Sequence, residues 1–346
     1  MTKLLPLLWI LGAAVLLLWA AADVTRAPET SAQPAALAAS EEPAAVEAHA
    51  EPPVPVLLVY GFQPLPGFDP PELWESIAEA LSGRGISRCE YHSLSFDHDI
   101  YVLPAESEVH RPVFISDYAF DFEPTVRDLR LYAQRLEEEI HWVCERESVA
   151  KIDVIAFSMG ALVVRAYVEA SDFADAIGDP DFVDYGTTYG DDVRTLITIA
   201  GPHHGAAFAA LGPWFGPLPR QLDPESSFFQ LLNAGEPDGT ALHPDVRYVS
   251  LAGQCCLGFG CSVREDVEAC RHECVAEALA WSGHDLVILM SSARLNGAEN
   301  VACVGFDHIE MRTHSIVVDA LEALLDGDEG PDALFADENL RAAAGR

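Results

Sequence analysis

One stretch of the chain leaves little freedom for what surrounds it: Lys151-Ile-Asp-Val-Ile-Ala-Phe-Ser-Met-Gly-Ala-Leu-Val-Val-Arg165. Ile152 to Phe157 is an apolar, β-branched run of the length and character of a buried parallel strand. From Met159 to Ala170, Leu162, Val163, Ala166 and Tyr167 recur at helical spacing. Between strand and helix sits Ala156-Phe157-Ser158-Met159-Gly160, a small-x-Ser-x-Gly turn. Small residues two before and two after the serine let the chain reverse tightly. Such a turn lifts the Ser158 Oγ above the sheet and aims the Met159 N–H at the same point. The start of the helix adds partial positive charge there, where an oxyanion would be stabilised. The bland alternative is a structural turn, since serines often fall near glycines by chance.

A serine hydroxyl becomes a nucleophile at neutral pH only when a base takes its proton, and an imidazole suits that task. A carboxylate must then hold the imidazole tautomer and stabilise its cation. In folds built around such a turn the chain order is serine, acid, histidine, with the last two on loops after late strands. His308, in Gly305-Phe-Asp-His-Ile309, follows the apolar run Val301–Val304 and precedes the last helix, where the base belongs. His314, at or inside that helix, reads as a surface histidine. Asp285, in Gly283-His-Asp-Leu-Val287, lies on a turn ahead of the helix-like Ser291-Ser-Ala-Arg-Leu295 and is the candidate acid. Asp266 and Asp307 read as solvated surface charges.

The flanking segments alternate strand and helix, which points to a mostly parallel sheet covered on both faces. Strands are expected at Val54–Tyr60, around Ser87–His92, and at Arg111–Tyr118, Val193–Ala200 and Val246–Ala252. Helices are expected at Pro71–Leu81, Glu123–Arg146, Leu222–Asn233 and Thr313–Leu325. Ser93–His110 reads as a polar loop, and Ser171–Asp192 as an acidic surface insertion. The organisation that follows is a leader over 1–22, a solvated Ala/Pro/Glu linker over 23–53, a folded domain over 54–326 and an acidic tail over 327–346.

Charge narrows the partners. With 20 basic against 55 acidic residues the net charge is -35, so nucleic acid and anionic surfaces would repel the chain. The uncharged run Leu4–Ala22 behind Lys3 is either a cleaved signal peptide ending near Ala20-Ala21-Ala22 or a membrane anchor. Either places the remainder outside the cytoplasm: periplasmic, extracellular or anchored facing outward. There the eight cysteines read as disulfides. Five of them (Cys255, Cys256, Cys261, Cys270 and Cys274) form a cysteine-rich insertion, for which a zinc site using His272 is the rival reading.

Five blocks in fixed order carry a resemblance. These are Val-Leu-Leu-Val-Tyr-Gly-Phe (56–62), Ala-Phe-Ser-Met-Gly-Ala (156–161), Thr-Ile-Ala-Gly-Pro-His-His-Gly (198–205), Asp-Leu-Val with Ser-Ser-Ala-Arg-Leu (285–287 and 291–295), and Gly-Phe-Asp-His (305–308). Together they resemble the bacterial triacylglycerol lipases and related esterases of the α/β-hydrolase fold, over about Val54 to Leu325. The resemblance implies Ser158 as nucleophile, Asp285 as acid and His308 as base, with backbone donors at Phe62 and Met159 forming the oxyanion hole. It implies an ester or lipid substrate and no organic cofactor, while the acidity leaves room for a structural calcium ion. Two departures stand out. The family's His-Gly is Tyr60-Gly61 here, and its frequent Gly-His-Ser is Ala156-Phe157-Ser158. His203 and His204 fall in the family's Pro-His block, with loop bracing favoured over a direct part in catalysis.

The expectation is therefore a serine hydrolase acting on carboxylic esters. The alternatives are a non-catalytic envelope-anchored binding protein that kept the fold, and a thioesterase or phospholipase with the same triad. Ala206–Pro219 is apolar throughout, but its glycines and prolines forbid a long regular helix. Phe208, Trp214 and Phe215 on it are candidates to line or roof an acyl pocket; the bland reading is a buried connector.

Overall fold

The computed structural model describes residues 53–61, 70–94, 99–117, 128–169, 185–206, 221–234, 242–254, 284–304 and 306–327. The remaining residues, among them 1–52, the cysteine-rich stretch 255–274 and 328–346, lie outside the described residues.

Eight strands of the described residues form one sheet in the order β2-β3-β4-β1-β5-β6-β7-β8. They are β1 (Val56–Val59), β2 (Glu90–Ser93), β3 (Asp99–Leu103), β4 (Val113–Ser116), β5 (Ile152–Phe157), β6 (Val193–Ile199), β7 (Arg247–Gln254) and β8 (Glu299–Val304). From β4 to β8 every pairing is parallel, while β2/β3 and β3/β4 are antiparallel. The central strands are apolar on both faces because helices cover both. Leu57, Val59, Val154 and Ala156 point into one core. Val56, Leu58, Ile155 and Phe157 point into the other, as the two-residue period of a strand requires. The first core is closed by α3 (Leu129–Glu147), α4 (Gly160–Val168) and α5 (Ser227–Leu232). The second is closed by α1 (Pro70–Leu73), α2 (Glu75–Ser82), α7 (Glu310–Thr313) and α8 (Ser315–Asp326); α6 is the single turn Met290–Ala293.

The chain runs from β1 out to the β2–β4 side, then returns past β1 to β5 on its other flank. The strand order reverses between β1 and β5, and their carboxyl ends open a crevice of the kind that holds ligands in such sheets. Ser158 and Gly61 sit at those two ends.

The structure corrects several sequence expectations. Ser93–His110 is not all loop, because Asp99–Leu103 pairs antiparallel with β4 and buries Ile100, Val102 and Leu103. The long helix does not begin at Glu123. Asp128 is extended (φ -123°, ψ 127°) and caps α3 by accepting from the Arg130 N–H at 2.9 Å. The helix expected from Leu222 starts only at Ser227, where the Ser226 hydroxyl accepts from the Phe229 N–H. The last helix is interrupted at His314, which ends α7 and caps α8 through its ring nitrogen on Ile316 N. Nor are all cysteines paired, since Cys144 and Cys303 are free thiols. Cys303, fully buried on β8, behaves as a small apolar core residue, and burial pushes its thiol up to about 12.

Candidate active site

Ser158 is held by its backbone. Its φ of 54° is left-handed, a conformation costly for a residue with a side chain and characteristic of functional turns. Its N–H is tied to the Ile199 carbonyl of β6 at 2.8 Å, so the turn is fastened to the neighbouring strand. Gly160 permits the turn to lie on β1: a Cβ there would stand 2.4 Å from the Tyr60 carbonyl oxygen. Gly61 permits the loop after β1 to pass against the serine, since its Cβ would lie 2.7 Å from Ser158 Cβ and 3.1 Å from Met159 N. Met159 occupies the cap position of α4, the helix whose amino end faces this crevice.

The histidine reaches Ser158 from the β8 edge of the sheet. His308 follows β8, and its Nε2 lies 3.1 Å from Ser158 Oγ. Its Nδ1 lies 2.6 Å from Asp285 Oδ2, and its backbone N–H donates to the Asp285 carbonyl at 2.9 Å. The carboxylate fixes the tautomer: Nδ1–H donates to Asp285, leaving the Nε2 lone pair free to accept the serine proton.

Asp285 is in turn fully engaged. Its Oδ1 accepts from the N–H groups of Val287 (2.9 Å) and Ile288 (2.6 Å), so both oxygens are held and the group is 1% exposed. Closing that loop forces Leu286 to φ 79°, a second strained residue beside the chemistry. Gly253 on β7 makes room for it, because a Cβ there would meet Asp285 Cβ at 2.9 Å. A glycine inside a strand often marks close approach of this kind, and Gly253 is the sequence signal for this contact. The Phe157 ring packs at a tilt of 44° against the His308 ring, with centroids 4.7 Å apart.

The two histidines of the Gly-Pro-His-His-Gly block brace the loop after β6. His203 is fully buried, with Nε2 3.0 Å from Thr198 Oγ1; Thr198 donates to Ser250, which donates to the Ala293 carbonyl. Burial, then the nearby Arg165 cation, then His204, push its pKa well down, so it stays neutral. Its carbonyl accepts from Asn233, whose side-chain oxygen accepts from Arg165 of α4. His204 reaches the Ser292 carbonyl at 3.3 Å. The nucleophile helix and the acid loop are thereby tied to one loop.

Asp307 is not a solvated surface charge. It is half-buried, accepts from the Ile309 and Glu310 N–H groups at 2.9 Å, and burial raises its pKa. With its carboxylate turned to that cap, Asp285 remains the carboxylate bonded to the imidazole. Phe62, Phe208, Trp214, Phe215 and Asp266 lie outside the described residues. Among the described residues no cluster of three or more His, Cys, Asp or Glu side chains is arranged to hold a metal, and no helix is long and apolar enough to cross a membrane.

Comparison with known proteins agrees with this architecture. Residues 100–233 match the family described as "Putative serine esterase (DUF676)". A Bacillus licheniformis lipase in its propeptide form is similar in structure, with a TM-score of 0.50 and 16% identity over 82% of this chain and 53% of that one. The mature form of that lipase gives 0.47 at 17% identity, covering 79% and 92%. A Listeria innocua gene product gives 0.46 at 16% identity, covering 81% and 96%. No curated protein matches the sequence. The chain has the α/β-hydrolase fold.

Proposed function

We propose that the protein is a serine hydrolase that cleaves carboxylic esters through an acyl-Ser158 intermediate. The observation that carries this reading is the continuous line Asp285–His308–Ser158, at 2.6 and 3.1 Å, with the serine on a strained turn at a helix start. In the first half-reaction Ser158 Oγ bonds to the carbonyl carbon while its proton passes to His308 Nε2. The C–O bond to the alcohol then breaks, and the alcohol leaves with that proton. In the second half a water attacks the acyl carbon, His308 takes its proton and returns it to Ser158 Oγ, and the acid is released. Asp285 keeps the imidazole oriented and offsets its transient charge. Met159 N–H and Phe62 N–H are assigned as the donors to the oxyanion.

Phe208, Trp214 and Phe215 are assigned to an acyl pocket, which makes an ester with an apolar acyl chain, a lipid included, the preferred substrate. No organic cofactor enters these steps, and the apolar run 4–22 assigns the site of action to outside the cytoplasm.

The test is labelling with a fluorophosphonate probe together with turnover of p-nitrophenyl esters of graded chain length. We expect labelling at Ser158, a rate that rises with acyl length beyond acetate, and a loss of about 10⁵-fold or more in Ser158→Ala. Folded wild-type protein that neither takes the probe nor hydrolyses any of the esters would refute the reading.

A further inference from the structure

His308 hangs from β8, whereas Ser158 stands at the end of β5, three strands away. At ordinary strand spacing that is a span of about 14 Å. The segment carrying the histidine must therefore cross the ends of β6 and β7, and it needs fastening at both ends of the crossing. The far end is fastened to the acid loop by the Asp285 bonds, and Met311 packs against Gly253 of β7. The near end is fastened by aromatic faces.

Phe157, the residue before Ser158, packs on the His308 ring on one side and on Tyr60 on another, with centroids 4.7 and 5.6 Å apart. Tyr60, at the end of β1, stands edge-on to the buried Trp74 at 6.3 Å. Arg312 comes one helical turn after His308. Its guanidinium carbon lies 5.5 Å from the Tyr60 ring centroid and 5.8 Å from that of Phe157, and the residue is 4% exposed. A desolvated guanidinium over two ring faces is a strong cation–π contact, and its planar shape stacks where an ammonium does not. Tyr60 and Phe157 are also two of the positions, with Ala156, at which the sequence departs from the lipase pattern.

We infer that Arg312 is a positioning residue for the proposed hydrolysis. Resting on the Tyr60 and Phe157 rings, it pins the histidine segment to the ends of β1 and β5, beside Ser158. The inference rests on the serine-hydrolase reading and adds to it a residue that touches neither substrate nor the reacting atoms. It acts through the ring of Phe157, so its loss loosens the Ser158–His308 alignment without altering how substrate binds.

The experiment measures kcat and KM on p-nitrophenyl butyrate, the rate of fluorophosphonate labelling and the thermal midpoint. The proteins are wild type, Arg312→Met, Arg312→Lys, Tyr60→Leu and the Arg312→Met/Tyr60→Leu double variant. We expect Arg312→Met to lower kcat about 10- to 100-fold with KM within about twofold, since only alignment is lost. Labelling should slow in parallel, and Arg312→Lys should recover part of the loss. The double variant should lose little more than Arg312→Met alone, because both act through one stack. If Arg312→Met does not fold, Arg312→Lys and Tyr60→Leu carry the test, each with reduced kcat and unchanged KM. Wild-type kcat in the folded Arg variants, fully additive losses, or a change confined to the thermal midpoint would overturn the inference alone. A wild-type protein that neither labels nor turns over would remove the hydrolase reading itself and this inference with it.

Discussion

At the scale of single residues, the candidate site depends on what is missing from glycines as much as on what polar side chains supply. Gly61 lies so close to the serine turn that an added Cβ would stand 2.7 Å from Ser158 Cβ, 2.9 Å from the Phe157 carbonyl and 3.1 Å from Met159 N. Two of those three neighbours are backbone, which cannot swing aside as a flexible side chain can. Gly61→Ala must therefore displace either the loop after β1 or the turn itself. A displacement near 1 Å at a reacting centre costs about 100-fold in rate. We expect kcat for short-chain esters to fall by about that factor while the urea midpoint shifts little. A Gly61→Ala variant with wild-type kcat would show that the loop yields without disturbing the serine.

At the scale of one element, α3 carries a carboxyl group deep in the apolar face of a helix. Glu139 is fully buried among Leu136, Ile140 and Val143, and burial pushes its pKa up to about 8 from an ordinary 4.5, with Ser116 and Asp117 nearby. The sign follows from proton binding. Between these two values the folded protein holds a proton that the unfolded chain has released, so stability falls as pH rises from about 4.5 to about 8 and then levels off. The loss attributable to this group is on the order of a few kcal/mol. Glu139→Gln keeps the shape and cannot ionise. Urea denaturation at pH 5 and pH 9 should therefore show a smaller drop for Glu139→Gln than for wild type. Equal drops in the two proteins would mean that Glu139 is not protonated in the folded state.

At the scale of the whole molecule, one buried carboxylate ties together the end of the sheet remote from Ser158. Asp153 of β5 is fully buried and accepts from Arg194 Nε of β6 at 2.8 Å, with Arg111 Nη1 3.8 Å away. Arg111 also donates to the Val54 carbonyl and pairs with Asp326, the last residue of α8. Arg194 reaches the Leu325 carbonyl at 3.3 Å. The final helix is thus latched to the strands that hold the serine turn. Removing one charge from a buried set leaves its partners uncompensated, at a cost of about 3 kcal/mol where one partner is half in water. Asp153→Asn should lower stability to chemical denaturation by that amount. Fluorophosphonate labelling per folded molecule should stay unchanged, because Ser158 lies beyond the other end of β5. Slower labelling in fully folded Asp153→Asn would mean that the latch reaches the site.

The sequence by itself determined the serine turn, the parallel sheet on either side of it and the identity of the three residues that meet there. Each of these is written locally: a β-branched run, a helical period, small residues flanking Ser158, and a histidine in the loop after a late strand. Boundaries set by a single side chain's hydrogen bond, as at Asp128, Ser226 and His314, were not legible from periodicity, because a cap interrupts a pattern without altering its composition. Strand β3 was hidden for a related reason: five residues are too few for alternation to stand out inside a polar stretch. What only the tertiary structure decided is how distant residues share space. The room that Gly253 leaves for Asp285, the rings of Tyr60 and Phe157 beneath Arg312, and the carboxylate of Asp153 between two arginines all join segments that are far apart in the chain. No local period encodes such meetings, because they arise from which strand ends the fold brings side by side.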